Sequence, residues 1–206
     1  MTMKGIKMKI IGITGSIGSG KSHVAALISE RGIPRIDTDE VYHGFVSKRS
    51  PMTEEIEKHF GSEVINPDGS LNRAALGKIV FSDPEKLKLL NSLTHGTVKA
   101  RVREMLTEYR KAGERAVLVE VPLMFESGFD KECDEVVCVV ADDKVRLERI
   151  CERDGISEKD AKKRMKNQKD NDFYIANSSI IVYNDGSEDI SPRISSIVKT
   201  LIGENN

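Results

Sequence analysis

Residues 15–22 read Gly-Ser-Ile-Gly-Ser-Gly-Lys-Ser, which fits the spacing G-x-x-x-x-G-K-[ST] at every fixed position. No other stretch of the chain restricts its fold so tightly. The residue types follow from what the segment must hold. Glycines let successive backbone N–H groups turn inward on a polyphosphate, and a following helix adds its positive N-terminal end. A lysine reaches β- and γ-phosphate oxygens, and a hydroxyl holds Mg²⁺. The surroundings agree. Lys9–Thr14 is an apolar, β-branched run predicted to be a buried strand, and Val24, Leu27, Ile28 and the stem of Arg31 form a helical stripe stopped by Gly32. Strand, glycine turn and helix make the opening of a parallel α/β unit. Gly15, Ser16, Ile17, Gly18, Ser19, Gly20, Lys21 and Ser22 are therefore the expected ATP site, with Ser22 on the metal. His23 follows in the helix, at the edge of that site or as a helix residue without chemistry.

Four further runs extend the sheet: Pro34–Asp37, Ala116–Val121, Val136–Val140 and Ser179–Tyr183. Those at 116 and 136 are apolar almost throughout, as expected of parallel strands covered by helices on both faces. Five strands are counted. Ser191 as N-cap and Pro192 at the first helical position open a last helix with Ile194, Ile197, Val198 and Leu201 on one face. Two segments do not belong to the strand-helix alternation. Tyr42 to Gly113 shows helical periodicity and no clear strand; within it Asp83 is the expected cap of a long helix ending near Gly113, which Gly96 is expected to kink. Lys144 to Lys169 reads as two helices joined at Asp154-Gly155, the second capped by Ser157 with Asp160 in capping-box position. The expected division is a core of 8–41, 114–143 and 171–206, a helical insertion of 42–113, and a lid of 144–170.

Bulk properties exclude several classes. The chain has 206 residues, 38% hydrophobic and 32% charged, which suits one compact core with an appendage and not a disordered tract. Lysines and arginines number 32 against 33 acidic residues, a net of −1, so no nucleic-acid partner is expected. Apolar runs reach about five residues, far short of the ~18 to 20 of a membrane span. The start carries lysines but no secretory apolar region, so a cytoplasmic protein is expected. Cys133, Cys138 and Cys151 lack metal or redox spacing and are expected to be plain thiols.

A phosphate loop leaves open what is done with the nucleotide. No N-K-x-D guanine reader is present, and the third strand ends Val119-Glu120-Val121-Pro122 without the Asp of a motor ATPase, which favours a small kinase. Asp37-Thr38-Asp39 falls at the end of the second strand, where ligands of open α/β sheets gather. Phosphoryl transfer to an alcohol needs a carboxylate near the γ-phosphate. Asp39 is the expected base, and Asp37 has a structural or water-mediated metal role; either is otherwise a helix cap. Residues 144–169 carry ten basic and five acidic side chains. Arg146, Arg149 and Arg153 share one helix face, and Arg149 is expected to meet the transferring phosphoryl group.

Several strings in this order resemble the dephospho-coenzyme A kinase family over nearly the whole chain: Ile13–Ser22, Ile36–Asp39, Asp68–Arg73, Leu93-Thr94-His95, Val121–Glu126, Arg153-Asp154 with Arg164 and Gln168, and Asn184-Asp185-Gly186. The resemblance implies ATP-dependent phosphorylation of the ribose 3′-hydroxyl of dephospho-coenzyme A. It implies Asp39 as base, Lys21 and Arg149 on the phosphates, and 42–113 as the acceptor-binding insertion. Arg73, His95, Pro122, Leu123, Phe125, Glu126 and Arg164 join Asp39 on the acceptor side. Also implied is a kinase-type α/β/α fold, a five-stranded parallel sheet in the order 2-3-1-4-5 with ATP and Mg²⁺. Asn72, Gly96, Met124 and His23 depart from the usual residues. A monomer is favoured, with oligomeric state open. A kinase of another small hydroxyl or monophosphate acceptor is the alternative, and a slow regulatory ATPase a further one.

Overall fold

The computed structural model describes residues 7–203. A five-stranded parallel sheet carries the strand-bearing unit. Its strands are β1 (Lys9–Thr14), β2 (Arg35–Asp37), β3 (Ala116–Glu120), β4 (Glu135–Val140) and β5 (Ile180–Tyr183), in the order β2-β3-β1-β4-β5. In register, Ile11 lies beside Leu118 and Glu135, and Cys138 beside Ile181. Each strand is within about a residue of its expected place, because the covered runs are apolar on both faces.

The pleat sorts those residues onto two surfaces. Ile11 and Ile13 of β1 join Leu118, Val137 and Val139 on one face. There they pack against Val24, Ala25 and Ile28 of α1 (Lys21–Ser29) and Ile194, Val198 and Leu201 of α10 (Ser191–Ile202). Arg31 ties these two helices together by donating to Ser195 Oγ at 2.8 Å and Ser191 O at 3.0 Å. On the other face, Cys138 and Val140 meet Tyr174 of α9 (Asn171–Ala176), with Phe125 of α6 (Met124–Ser127) beside them. Gly12 of β1 is small for a reason: a Cβ there would lie 2.6 Å from Met124 Cε and 2.8 Å from Cys133 Sγ.

One expectation about caps is corrected, and a second holds for the cap itself but not for the reciprocal bond. Ser191 is the first residue of α10 and not its cap; its N–H is accepted by Asp189 Oδ1 at 2.9 Å, and Pro192 sits one place further in. In α8 (Glu158–Lys166), Ser157 Oγ does accept the Asp160 N–H at 3.2 Å, but the Asp160 carboxylate takes the Ser157 hydroxyl and not its N–H. The helix before it, α7 (Asp143–Asp154), stops where expected, on Gly155 at φ 62°. The three cysteines are free, and burial pushes the thiols of Cys133 and Cys138 up to about 12.

The second unit, Asp37–Glu108, is helical. It contains α2 (Thr38–Val46), α3 (Pro51–Phe60), α4 (Arg73–Val80) and most of α5 (Pro84–Ala112). Its core is its own: Val46, Met52, Ile56, Phe60, Val64, Leu71, Leu76 and Val80, flanked by Leu90, Leu93 and Val98 of α5. Asp83 caps α5 by accepting the N–H groups of Glu85 and Lys86. The helix runs on through Gly96, where a Cβ would meet nothing within 4 Å.

Candidate active site

β1 delivers the chain into the turn of residues 15–20, whose three glycines all take positive φ: Gly15 at 154°, Gly18 at 81° and Gly20 at 84°. At Gly20 the requirement is twofold. Its φ suits few side chains, and a Cβ would come within 2.2 Å of Asn184 Nδ2. Gly20 also serves as the N-cap of α1 without offering a side chain. The N–H groups of Lys21 and Ser22 therefore begin a helix with no acceptor inside it, as an anion site needs.

The loop's carbonyl oxygens are held from outside. Arg149 of α7 donates through Nη1 to Asn184 O at 2.8 Å and to Gly18 O and Ser19 O at 3.4 Å each. Asn184 Nδ2 donates to Ser19 O at 2.8 Å. Buried Arg146 donates through Nε to Ile17 O at 3.0 Å and pairs with Asp143 at 2.8 Å. Ile17 N–H goes to Gln168 Oε1 at 2.7 Å, and the Ser16 hydroxyl to Asn171 Oδ1 at 2.9 Å. Lys21, Ser22 and Arg149, expected together from the sequence, do share this locus.

Beneath Lys21 lies a buried carboxylate. Glu120 ends β3 with its side chain 2% exposed; its Oε1 accepts from Lys21 Nζ, and from the Ser22 hydroxyl at 2.7 Å, while Arg35 Nη2 lies 2.6 Å from Oε2. The strand ends without an Asp, as the sequence shows, and Glu120 supplies a buried carboxylate there. A lone acidic residue in a buried apolar strand was itself the signal, since such a charge is almost never buried unless paired. Arg146, Gln168 and Asn171 were likewise not assigned to the loop, because only the tertiary fold brings them to it.

The remaining candidates are distributed as follows. His23 is exposed. Pro122 and Leu123 lead from β3 into α6, where Phe125 packs edge-on against Phe173 at 5.4 Å between centroids and Glu126 is exposed. Arg164 of α8 pairs with Asp154, which also pairs with Arg153 at 2.7 Å. In the helical unit Asp37 is the cap of α2, its Oδ1 accepting the Asp39 N–H at 2.9 Å, which leaves Asp39 in the first turn of that helix. The guanidinium of Arg73 stands 5.9 Å over the Tyr42 ring. His95 is half-buried on α5, and desolvation, with Lys99 nearby, holds its pKa below the usual imidazole value.

A family model described as dephospho-CoA kinase matches residues 9–189. The chain belongs to the dephospho-CoA kinase family. It is 41% identical over 182 residues to the dephospho-CoA kinase of Symbiobacterium thermophilum, covering 88% of this chain and 76% of that one. Among solved structures, TT1252 from Thermus thermophilus superposes with a TM-score of 0.81 at 31% identity, over 97% of this chain and 98% of that one. Dephospho-CoA kinase from Campylobacter jejuni does so with a TM-score of 0.70 at 26% identity, over 95% and 98%. The family catalyses ATP-dependent phosphorylation of dephospho-CoA, the last step of coenzyme A synthesis. Among the described residues no helix is long and apolar enough to cross a membrane.

Proposed function

We propose that this chain transfers the γ-phosphoryl group of ATP to the ribose 3′-hydroxyl of dephospho-CoA, with residues 15–22 as the triphosphate site and 42–113 as the acceptor-binding insertion. The observation that carries the reading is the convergence of Lys21, Ser22 and Arg149 on the uncapped start of α1, in a chain of this family. Lys21 and Arg149 place positive charge where the transferring group becomes more anionic, and the loop's N–H groups do the same without reorganising. Asp39 acts as base. As the 3′-oxygen bonds to the γ-phosphorus, the bond to the bridging oxygen of ADP breaks; ADP leaves with that electron pair, and the hydroxyl proton passes to Asp39.

The donor set fits Mg²⁺. The Ser22 hydroxyl and the Glu120 carboxylate lie side by side and would supply oxygen ligands, since Mg²⁺ is bound by one or two protein oxygens together with substrate phosphates and water. When bound, it would neutralise charge on the β- and γ-phosphates. Arg73, His95, Pro122, Leu123, Phe125, Glu126 and Arg164 belong to the acceptor side in this reading, and the rest of the lid, 144–170, excludes water over ATP. We place the protein in the cytoplasm.

The test is ADP release with Mg²⁺ and ATP, with and without dephospho-CoA, while the acceptor's mass is followed. A gain of one phosphate that requires the acceptor is expected, and Lys21→Ala should lose it. ADP release indifferent to the acceptor, or full activity in Lys21→Ala, would overturn the assignment.

A further inference from the structure

The lid segment leaves the sheet after β4 and returns before β5, and both of its legs stand on the same few residues of the phosphate loop. On the outgoing leg, Arg146 and Arg149 hold the carbonyl oxygens of Ile17, Gly18 and Ser19. On the returning leg, Gln168 Oε1 accepts the Ile17 N–H at 2.7 Å and Asn171 Oδ1 accepts the Ser16 hydroxyl at 2.9 Å. Asn171 Nδ2 donates in turn to Ala141 O at 3.0 Å, just past the end of β4. Gln168 itself lies in the short connection between α8, which ends at Lys166, and α9, which begins at Asn171.

The division of labour is chemical. A loop that presents N–H groups to an anion must have its carbonyl oxygens, and any N–H that points elsewhere, satisfied by other parts of the chain. Arginines can only donate, so they serve the carbonyls; the Ile17 N–H needs an acceptor, and a glutamine carbonyl supplies one without setting a negative charge beside a triphosphate.

Resting on the reading of residues 15–22 as the triphosphate site, we propose that Gln168 is a positioning residue for phosphoryl transfer. It takes the Ile17 N–H out of the anion-facing set and fixes the peptide plane between Ser16 and Ile17. Together with Asn171 it fastens the returning leg of the lid to the loop tip, so that order in the loop and position of the lid are one equilibrium. Asn171 steadies this leg by bridging Ser16 and Ala141.

The test uses the full chain and compares Gln168→Leu, which lacks the acceptor, with Gln168→Glu, which keeps one. Amide exchange at Ile17 is followed by NMR without nucleotide, and KM for ATP and for dephospho-CoA are measured separately. Loss of one net hydrogen bond should speed exchange at Ile17 about tenfold in Gln168→Leu and leave Gln168→Glu protected. In Gln168→Leu the KM for ATP should rise by roughly three- to tenfold while that for the acceptor stays within about twofold, a split that general loosening of the fold would not give. Should Gln168→Leu not fold, Gln168→Met, unbranched and again without a carbonyl, takes its place. Unchanged exchange at Ile17, or equal rises in both KM values, overturns the proposal. Failure of the wild type to bind a non-hydrolysable ATP analogue would instead overturn the triphosphate reading, and that result comes from a separate sample.

Discussion

At the scale of single residues, Glu120 shows how burial and chemistry are joined. A carboxylate in the covered interior is costly unless opposite charge and hydrogen-bond donors meet it; Lys21, Ser22 and Arg35 do so here. Glu120→Gln keeps the shape and removes the charge. It should lower stability by about 3 kcal/mol, as expected when one partner of a buried ion pair is lost; a urea midpoint equal to wild type would contradict this. Its Mg²⁺ requirement should also rise. Asp39→Asn should behave differently. Without a base, kcat should fall by roughly 10² to 10⁴, yet binding of a non-hydrolysable ATP analogue, followed by calorimetry, should hold. A variant with full kcat removes Asp39 from the role of base. That Lys21, Ser22 and Arg149 meet at one locus was legible in the sequence, from the loop's spacing for the first two and from the helix face and family resemblance for Arg149. Glu120, Gln168 and Asn171 were not, because their partners lie 98, 151 and 155 positions away along the chain.

At the scale of elements, the strands could be located because burial on both faces leaves an apolar signature that survives in sequence. Helix ends were less legible, since a polar side chain near an end can lie inside the helix as well as cap it; at α10 Asp189 accepts the Ser191 N–H, and the helix starts one residue earlier than a Ser191 cap would start it. Asn72 illustrates the opposite case. Its Oδ1 accepts the Ala75 N–H at 3.0 Å and caps α4, which an Asp in its place could also do. Asn72→Ala should therefore cost about 1 kcal/mol and Asn72→Asp almost nothing, as read from urea denaturation. Equal losses in both would mean that the carboxamide acts through something other than the cap. His95 adds a pH dependence to α5. Its folded pKa lies below the ordinary 6.5 because of burial and Lys99, so the unfolded chain binds the proton more readily. Its contribution to stability is complete above about 6.5 and is lost as pH falls through the lower folded value. His95→Gln should flatten the melting temperature between pH 7 and 5; an unchanged slope would assign that dependence to other groups.

At the scale of the whole molecule, two separate cores divide the chain. One is built on the face of the sheet that α1 and α10 cover together, and the other within Asp37–Glu108. The existence of a helical insertion was legible, because periodicity changes from strand-helix alternation to helices alone after residue 42. The order of the strands was not carried by any residue pattern; it came from the family resemblance, and only pairing in three dimensions shows β1 between β3 and β4. Two cores allow each substrate to be assigned to a unit by what it stabilises. A ligand that binds only the folded form at a hundred times its Kd adds about 2.7 kcal/mol to the state it holds. That is roughly a hundredfold slowing of exchange for amides exposed by opening of that unit. With a non-hydrolysable ATP analogue and Mg²⁺, hydrogen exchange should therefore slow across residues 15–28, at β3 and in α7, and change little in α3 and α4. Dephospho-CoA alone should slow exchange in α2 and α4, around Asp39 and Arg73, before it affects α1. Protection by the acceptor confined to the strand-bearing unit would show that the helical insertion does not hold it, and would leave the acceptor side to Leu123 and to Phe125 and Glu126 of α6.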